Sequence, residues 1–464
     1  MRDAERAFDE LVAHLRALIR LPTVNPPGDE ILAARYLADV LAAAGLEPRV
    51  LEPFPGRGNV IARLRADGTG GGPLLLLGHL DVVPAPPERW TRDPFGAEVA
   101  DGYVYGRGAV DMKSMVAMEL QVVLGLAEEA RAAGRDPARE PVPGLRRDII
   151  FAGTADEEAG GYQGIGWIVE NEPDLLRAEA CLTEAGGVSV ELGGRRIYPI
   201  GVAEKGFHRF EITVTGTAGH ASMPREDNAV VLAGRILERL GRPTPRRVTP
   251  LMAAALRSAA EALPGGAASV VERILAGDGG ADGEADDAAL AALCDAPTRR
   301  ALRALLRDTI SPTIVHAGVK DNIIPGSATI VVDCRTLPGT TAESMAAELR
   351  AQVGEELWTH CAATTQSLGV PLEQPLPHPL YDLCASTLRR HDPAAVPIPV
   401  MAPFATDAKH TVRLGIPTYG FSPLRLAPDE AFLDRFHGDD ERVGLDALRF
   451  GLPVLDEVVR RYCG

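Results

Sequence analysis

The segment LLLLGHLDVVP, Leu74 to Pro84, constrains this chain more than any other. Four consecutive leucines read as a buried strand, and His79 and Asp81 follow at its end, two residues apart. Residues i and i+2 of an extended chain point to the same face. An imidazole and a carboxylate therefore stand side by side where a hydrophobic strand leaves the core. That arrangement suits a metal-ligating histidine whose other ring nitrogen is held by an acid, which fixes its tautomer and basicity. A histidine at a strand end also serves as an ordinary hydrogen-bonded structural residue, so the pair alone does not decide.

Further candidate ligands recur along the chain, most of them after a short apolar run. GRGAVDMKSMVAMEL places Asp111 between a glycine-rich turn and a helical pattern of Met115, Met118 and Leu120. DIIFAGTADEEAGG sets Glu157 and Glu158 just after a strand at Ile149 to Ala152, and ACLTEAGG sets Glu184 after another apolar stretch. FHGDDERV adds His437 in a polar loop near the C-terminus. Any one of these is readable as a surface charge. The whole series, with a histidine at each end, is not.

The motifs GHLDVVP, GRGAVDMK, ADEEAGG, LTEAGG, GTAGHASMP, DNIIPGSATIVVDCR and FHGDDERV stand in an order that resembles the M20 family of metallopeptidases and deacylases, from about residue 10 to the end. The resemblance implies a di-metal site. Asp111 would bridge two ions, His79 and Glu184 would complete one, and Glu158 and His437 the other. Asp81 would orient His79, and Glu157 would be the general base. It further implies that His220, in GTAGHAS, reaches a partner subunit's site and stabilises the oxyanion. Asn322 and Arg335 would grip the substrate's carboxylate, although Asp333, on the same strand face as Arg335, is an ordinary ion-pair partner for it.

The residue types match that chemistry. Two ions roughly 3.5–4 Å apart share a water, clamp a reacting carbonyl and lower the water's pKa. Imidazole and carboxylate suit two Zn²⁺ per chain, with Co²⁺ or Mn²⁺ as substitutes. The neighbours Glu157 and Glu158 cannot both face one way, so one is left to carry a proton from water to the leaving amine.

A length of 464 residues implies two or three domains. At 46% hydrophobic and 24% charged residues the composition is that of a soluble globular chain. A net charge of −16 argues against nucleic acid and anionic membranes as partners. No apolar stretch reaches the roughly 18–20 residues of a membrane span. The N-terminal MRDAERAFDELVAHLRALIR is a charged amphipathic helix without a signal core. The six scattered cysteines, Cys181 among them, read as reduced packing residues, and the expected location is the cytoplasm.

Helices at about 4–20, 30–44, 111–130 and 163–170 alternate with strands at about 48–53, 59–65, 74–79 and 148–153. The expected fold is α/β, a central mixed sheet flanked by helices. Near residue 204 the pattern changes. Phe207 to Thr215 alternates, with His208, Phe210, Ile212 and Val214 on one side, as in a strand with one covered face. Helices at Asn228 to Leu240 and Thr341 to Val353, with strands at Thr313 to Val319 and Ala328 to Arg335, complete an inserted α+β sandwich. The expected domains are 1–203 with 366–464 for catalysis, and 204–365 for a lid through which a homodimer forms. The alanine-rich 244–311 stretch, interrupted by the loop-like GDGGADGEADD, either covers a substrate cleft or enlarges the lid.

The resemblance makes a metal-dependent amide hydrolase the expected activity, releasing an amino acid with a free carboxylate from an N-acyl or peptidyl substrate. Glu184, where many dipeptidase-type members have Asp, favours deacylation, with a dipeptidase or carboxypeptidase acting on short peptides as the alternative. A silent binding protein on the same fold would have lost Glu157 or a ligand. A two-metal phosphoesterase would be richer in bases than Arg57 and Arg107 make this chain. His14, His208, His316, His360, His378, His391 and His410 read as structural or surface residues, with Thr406 and Asp407 weaker candidates for shaping the site. The acyl group itself is not readable from the sequence.

Overall fold

The leucine run forms strand Leu74–His79, buried at every position. Its side chains alternate between two cores. Leu74 and Leu76 pack with helices Ala4–Ile19, Ile31–Ala43, Lys113–Ala132 and Leu445–Cys463. Leu75 and Leu77 pack on the other side with Ile165 and Ile168 of helix Ile165–Asn171. A strand covered on both faces has no need of polar alternation. The structure is a computed structural model that describes residues 4–276, 288, 290–427, 430 and 432–464. The GDGGADGEADD stretch, 277–287, lies outside the described residues.

Ten strands form the large sheet. From Arg49–Leu51 the order runs through Asn59–Leu64, Ile149–Thr154, Leu74–His79, Ala180–Thr183, Thr418–Gly420 and Arg195–Glu204 to Leu372–Glu373. Val190–Leu192 and Ala395–Ala402 also pair with Arg195–Glu204. Leu74–His79 is parallel to both its neighbours, and Thr418–Gly420 is parallel to Ala180–Thr183. Parallel strands end at one edge, so the residues after His79, Thr154 and Thr183 emerge together, where open α/β sheets bind ligands. The sheet is mixed, with helices on both faces, as expected.

A second, antiparallel sheet lies within residues 206–369, in the order Thr309–Ala317, Ser327–Thr336, Gly206–Thr215, Cys361–Gly369. His208, Phe210, Ile212 and Val214 are its buried face, as the alternation predicts. Helices Ala229–Leu240 and Ala342–Val353 pack on Phe210, Ile212, Val214 and their neighbours. The chain rejoins the large sheet at Leu372–Glu373, which pairs with Ala203 and Glu204.

The 244–311 stretch contributes helices Pro250–Ala262, Gly265–Ala276 and Ala296–Leu305. They share a core with Leu192, Ile197, Ile398 and Met401, and so pack against the outer strands of the large sheet. The sequence reading missed strand Ala395–Ala402, whose Pro397 and Pro399 argue against a central strand. Among the described residues it pairs only with Arg195–Glu204, an edge place where a missing N–H is tolerated. Also missed were helix Pro379–His391 and the C-terminal helix, which carries Pro453 inside it.

Candidate metal centre

The shared strand edge gathers the acidic and imidazole residues. His79 closes the leucine strand, Asp111 lies just ahead of helix Lys113–Ala132, and Glu184 follows strand Ala180–Thr183. Glu157 and Glu158 open a single 3-10 turn after Ile149–Thr154. His437 arrives from the loop before strand Arg442–Gly444.

The two oxygens of Asp111 face different partners. Oδ1 lies 2.9 Å from Nε2 of His79, and Oδ2 lies 3.3 Å from Nε2 of His437. Glu184 Oε1 is 3.8 Å from Nε2 of His79, and Glu158 Oε2 is 3.2 Å from Nε2 of His437. Two donor pairs, His79 with Glu184 and His437 with Glu158, thus share one carboxylate. Donor atoms of His79, Asp111 and Glu158 lie within 4.8 Å of one another, as do those of His79, Glu157 and Glu184. Asp156 (φ 74°), Ala185 (φ 69°) and His437 (φ 57°) hold left-handed backbone in or beside this set. For non-glycine residues that costs about 1–3 kcal/mol each and concentrates at functional sites.

Asp81 is fully buried and fixes the geometry chiefly through backbone. Its carboxylate accepts the amides of Glu157 (3.1 Å) and Glu158 (3.0 Å), and the Asn25 side-chain amide (2.8 Å). Its main-chain oxygen, 3.0 Å from Nδ1 of His79, is closer than its carboxylate, at 3.4 Å. Arg57 braces the assembly by donating to Glu30 (2.6 Å) and Asn25 (2.9 Å), beside Asp156. Buried Glu441 does the same for Asp111. It accepts the amides of Gly108, Val110 and Asp111, and pairs with Arg107 at 2.6 Å.

These surroundings move the titrations apart. Burial raises Glu158 to about 7, against the hydrogen bond from His437. Burial, then the charge of Asp111, holds Glu184 well above its usual range. Burial also works against a protonated His79, yet hydrogen bonds to Asp111 and Asp81 hold it well above its usual value. Hydrogen bonds to Asp111 and Glu158 raise His437 to about 10. Burial works against an ionised Asp111, but its hydrogen bonds with His437 and His79 keep it low.

The donor set fits divalent cations. Carboxylates and imidazoles converge, and Oε1 of Glu158 is buried without a hydrogen-bond partner among the described residues. A buried acceptor left unmatched costs about 1–3 kcal/mol, which coordination relieves. Bound cations would take the place of the imidazolium protons, because metal ligands must be deprotonated.

Sequence reasoning missed Asn25, Glu441 and Lys409. The Nζ of Lys409 lies 3.5 Å from Oε1 of Glu157 and donates to the Thr406 carbonyl. Burial opposes its charge, but Glu157, Asp407 and Glu204 hold the ammonium above its usual value. Thr406 in turn donates its amide and hydroxyl to the buried carboxylate of Glu204. Asp407 is buried and accepts the Thr154 hydroxyl. His410 has a structural place, with Nε2 2.9 Å from the Gly160 carbonyl and its ring edge-on to Tyr162.

The second sheet and the loops that extend from one end of it carry the remaining candidates. His220 and Asn322 are exposed neighbours at a two-residue ladder, Gly219–His220 against Ile323–Ile324, where the Ala221 amide donates to the Asn322 carbonyl. The Nδ1 of His220 is 2.8 Å from the Ser222 hydroxyl. Arg335 donates Nε to Asp333 at 2.8 Å, the ion pair the sequence left open. Among the described residues, no hydrogen bond or ion pair joins these three to the metal centre.

Residues 75–461 match the profile of Peptidase family M20/M25/M40. The N-fatty-acyl-amino acid synthase/hydrolase of Xenopus tropicalis is 27% identical over 471 residues, covering 96% of this chain and 84% of its own. Aminoacylase-1 of Sus scrofa is 25% identical over 93% of this chain and 90% of its own. The M20 family metallo-carboxypeptidase Sso-CP2 from Sulfolobus solfataricus has the same fold, with a TM-score of 0.68 at 18% identity over 98% of this chain and 99% of its own.

Proposed function

The chain belongs to Peptidase family M20/M25/M40, a family of metal-dependent amide hydrolases and peptidases, and from that premise we propose that it is a deacylase releasing an amino acid with a free carboxylate from an N-acyl substrate. The observation that carries this reading is the shared carboxylate of Asp111, with one oxygen towards each histidine and Glu157 alongside. The relatives named for N-acyl amino acids over nearly the whole chain support it.

We assign His79 and Glu184 to one ion, His437 and Glu158 to the other, and Asp111 to both. When bound, two Zn²⁺, with Co²⁺ or Mn²⁺ as substitutes, would supply Lewis acidity for the scissile carbonyl and lower the pKa of the attacking water. Glu157 accepts that water's proton and delivers it to the leaving amine. Lys409 pairs with the Glu157 carboxylate at 3.5 Å. Asp81 holds the amides of Glu157 and Glu158, which fixes base and ligand as one unit. Asn322 and Arg335 bind the substrate's carboxylate, for which Arg335 gives up its pairing with Asp333.

His220 is the oxyanion donor, and its exposure suits service to a partner's site. We divide the chain into 1–203 with 366–464, and 204–365, with strand Cys361–Gly369 continuing the second sheet four residues past that boundary, and assign the homodimer to the second part. Thr309–Ala317 is an edge strand, and Ile314, Val315 and Val319 are exposed in or just beyond it. Among the described residues no helix is long and apolar enough to cross a membrane. Among the described residues the six cysteines form no disulfide, which accords with a reducing compartment, and we assign the cytoplasm.

The test is hydrolysis of a panel of N-acyl amino acids and dipeptides by metal-loaded protein, with Glu157→Gln beside it. Turnover that disappears in the variant while metal content stays supports the reading. Cleavage of dipeptides alone replaces deacylase by peptidase, and no turnover with two metals bound defeats the reading.

A further inference from the structure

An apolar cavity of about 430 Å³ lies between helices Pro250–Ala262 and Ala296–Leu305 and strand Ala395–Ala402, and the mechanism above leaves it unused. Met252, Leu256, Leu302, Leu305, Val400 and Met401 give its walls their character. Among the described lining residues only Thr298, Arg300 and Asp434 have polar side chains, and the last two are paired with each other. Protein cores carry few voids larger than a water molecule, about 30 Å³. This volume falls in the roughly 300–1,000 Å³ range of small-molecule sites.

The cavity adjoins the metal centre from two directions. Ala185 and Gly186 line it directly after Glu184, and Phe436 lines it directly before His437. One proposed ligand of each ion therefore leads into its wall. A group held between the ions would have an apolar space beside it, built in part by the 244–311 insertion.

We propose that this cavity receives the aliphatic chain of the substrate's acyl group, so that the substrate class is N-acyl amino acids with medium or long chains. This rests on the amide-hydrolase reading given above. A peptide's aminoacyl group would bring an ammonium that needs a carboxylate, and among the described lining residues only Asp434 offers one, already paired with Arg300. An alkyl chain asks for no partner and gains by leaving water. In the reaction the water oxygen joins the acyl carbon, the C–N bond breaks, and the proton passes through Glu157 to the amine. The products are a fatty carboxylate and a free amino acid.

The experiment compares kcat/KM for the N-acetyl, N-butanoyl, N-octanoyl and N-dodecanoyl derivatives of one amino acid, using the metal-loaded full chain. Calorimetric titration with dodecanoate is run alongside. Each buried methylene is worth about fourfold, so dodecanoyl should exceed acetyl by at least about a hundredfold. Leu256→Trp and the half-buried Leu302→Trp both put an indole into the cavity and should cut that ratio at least about tenfold. Two variants guard against one failing to fold, which circular dichroism reports. An acetyl derivative turned over as well as the dodecanoyl one overturns the inference and leaves the hydrolase reading standing. A ratio unchanged in folded variants also overturns it. Dodecanoate bound at one site, displaced by Leu302→Trp, with no amide cleaved, defeats the hydrolase reading and keeps the chain site.

Discussion

The metal centre and the tip of the second sheet carry the two halves of the proposed chemistry, and they are built in opposite ways. At the centre the positions are over-determined. Asp81 receives two backbone amides and a side-chain amide, and Glu441 receives three amides and a guanidinium. At the tip, His220 and Asn322 are exposed and held by a ladder of two residues. Groups that must hold cations need preorganisation. A group that meets its target only when a substrate or second subunit arrives does without it.

The largest expected effect lies at the centre. Glu157→Gln should lower kcat by about 10²–10⁴, with both metals retained by elemental analysis. A variant keeping more than a tenth of the activity would remove Glu157 from the role of base. At the tip, His220→Ala should cost about 10²–10³ in kcat, also at full metal content. If His220 serves a partner's site, mixing the Glu157→Gln and His220→Ala chains restores activity in mixed dimers. A mixture as inactive as its parts would break the comparison, by placing both halves in one chain.

Asp81→Ala sharpens the same contrast. It leaves every ligand in place but releases the turn that carries Glu157 and Glu158. Metal affinity should fall about 10–100-fold, read by competition with a chelator. An unchanged affinity would mean that the ligands organise themselves.

The smallest effect is behind the strand. Glu119 is fully buried, and neither carboxylate oxygen has a hydrogen-bond partner among the described residues. Burial raises its pKa well above the usual 4.5. The folded chain thus holds this proton more tightly than the unfolded one. That stabilising contribution is complete below pH 4.5 and is lost as pH rises towards the folded value, by about 1.4 kcal/mol per pH unit. Glu119→Gln, which is neutral throughout, should melt higher than the parent at pH 8 and show a flatter dependence on pH. Equal slopes for the two proteins would mean that Glu119 has a partner in solution.

The same contrast governs what was legible in the sequence. His79, Glu157, Glu158 and Glu184 each follow an apolar run, and parallel pairing carries such ends to one edge. The alternation from Phe207 to Thr215 disclosed a one-sided sheet because side-chain period and burial coincide there. Asn25 and Glu441 were not legible. They act on the backbone or on one another, and an amide acceptor carries no signature of the amide it will meet. Glu441 stands within a recognised motif, but its partners lie 330 to 334 positions away. His220 and Asn322 become neighbours only through a ladder between two loops. The apolar cavity was hidden for the same reason, since alanine-rich helices do not announce which strands they will cover.

That long reach of Glu441 has a consequence for the order of events during synthesis. The turn presenting Asp111 emerges from the ribosome long before the carboxylate that ties down its amides. At about 5–20 residues per second, the interval between residues 111 and 441 lasts on the order of tens of seconds. Until it closes, Gly108, Val110 and Asp111 lack their acceptor and Asp111 lacks one of its two histidines. A chain still lacking residues 437–441 would therefore be short of donors for the proposed metal pair. Loading of both ions would wait for the segment that carries His437 and Glu441, which acts as the latch.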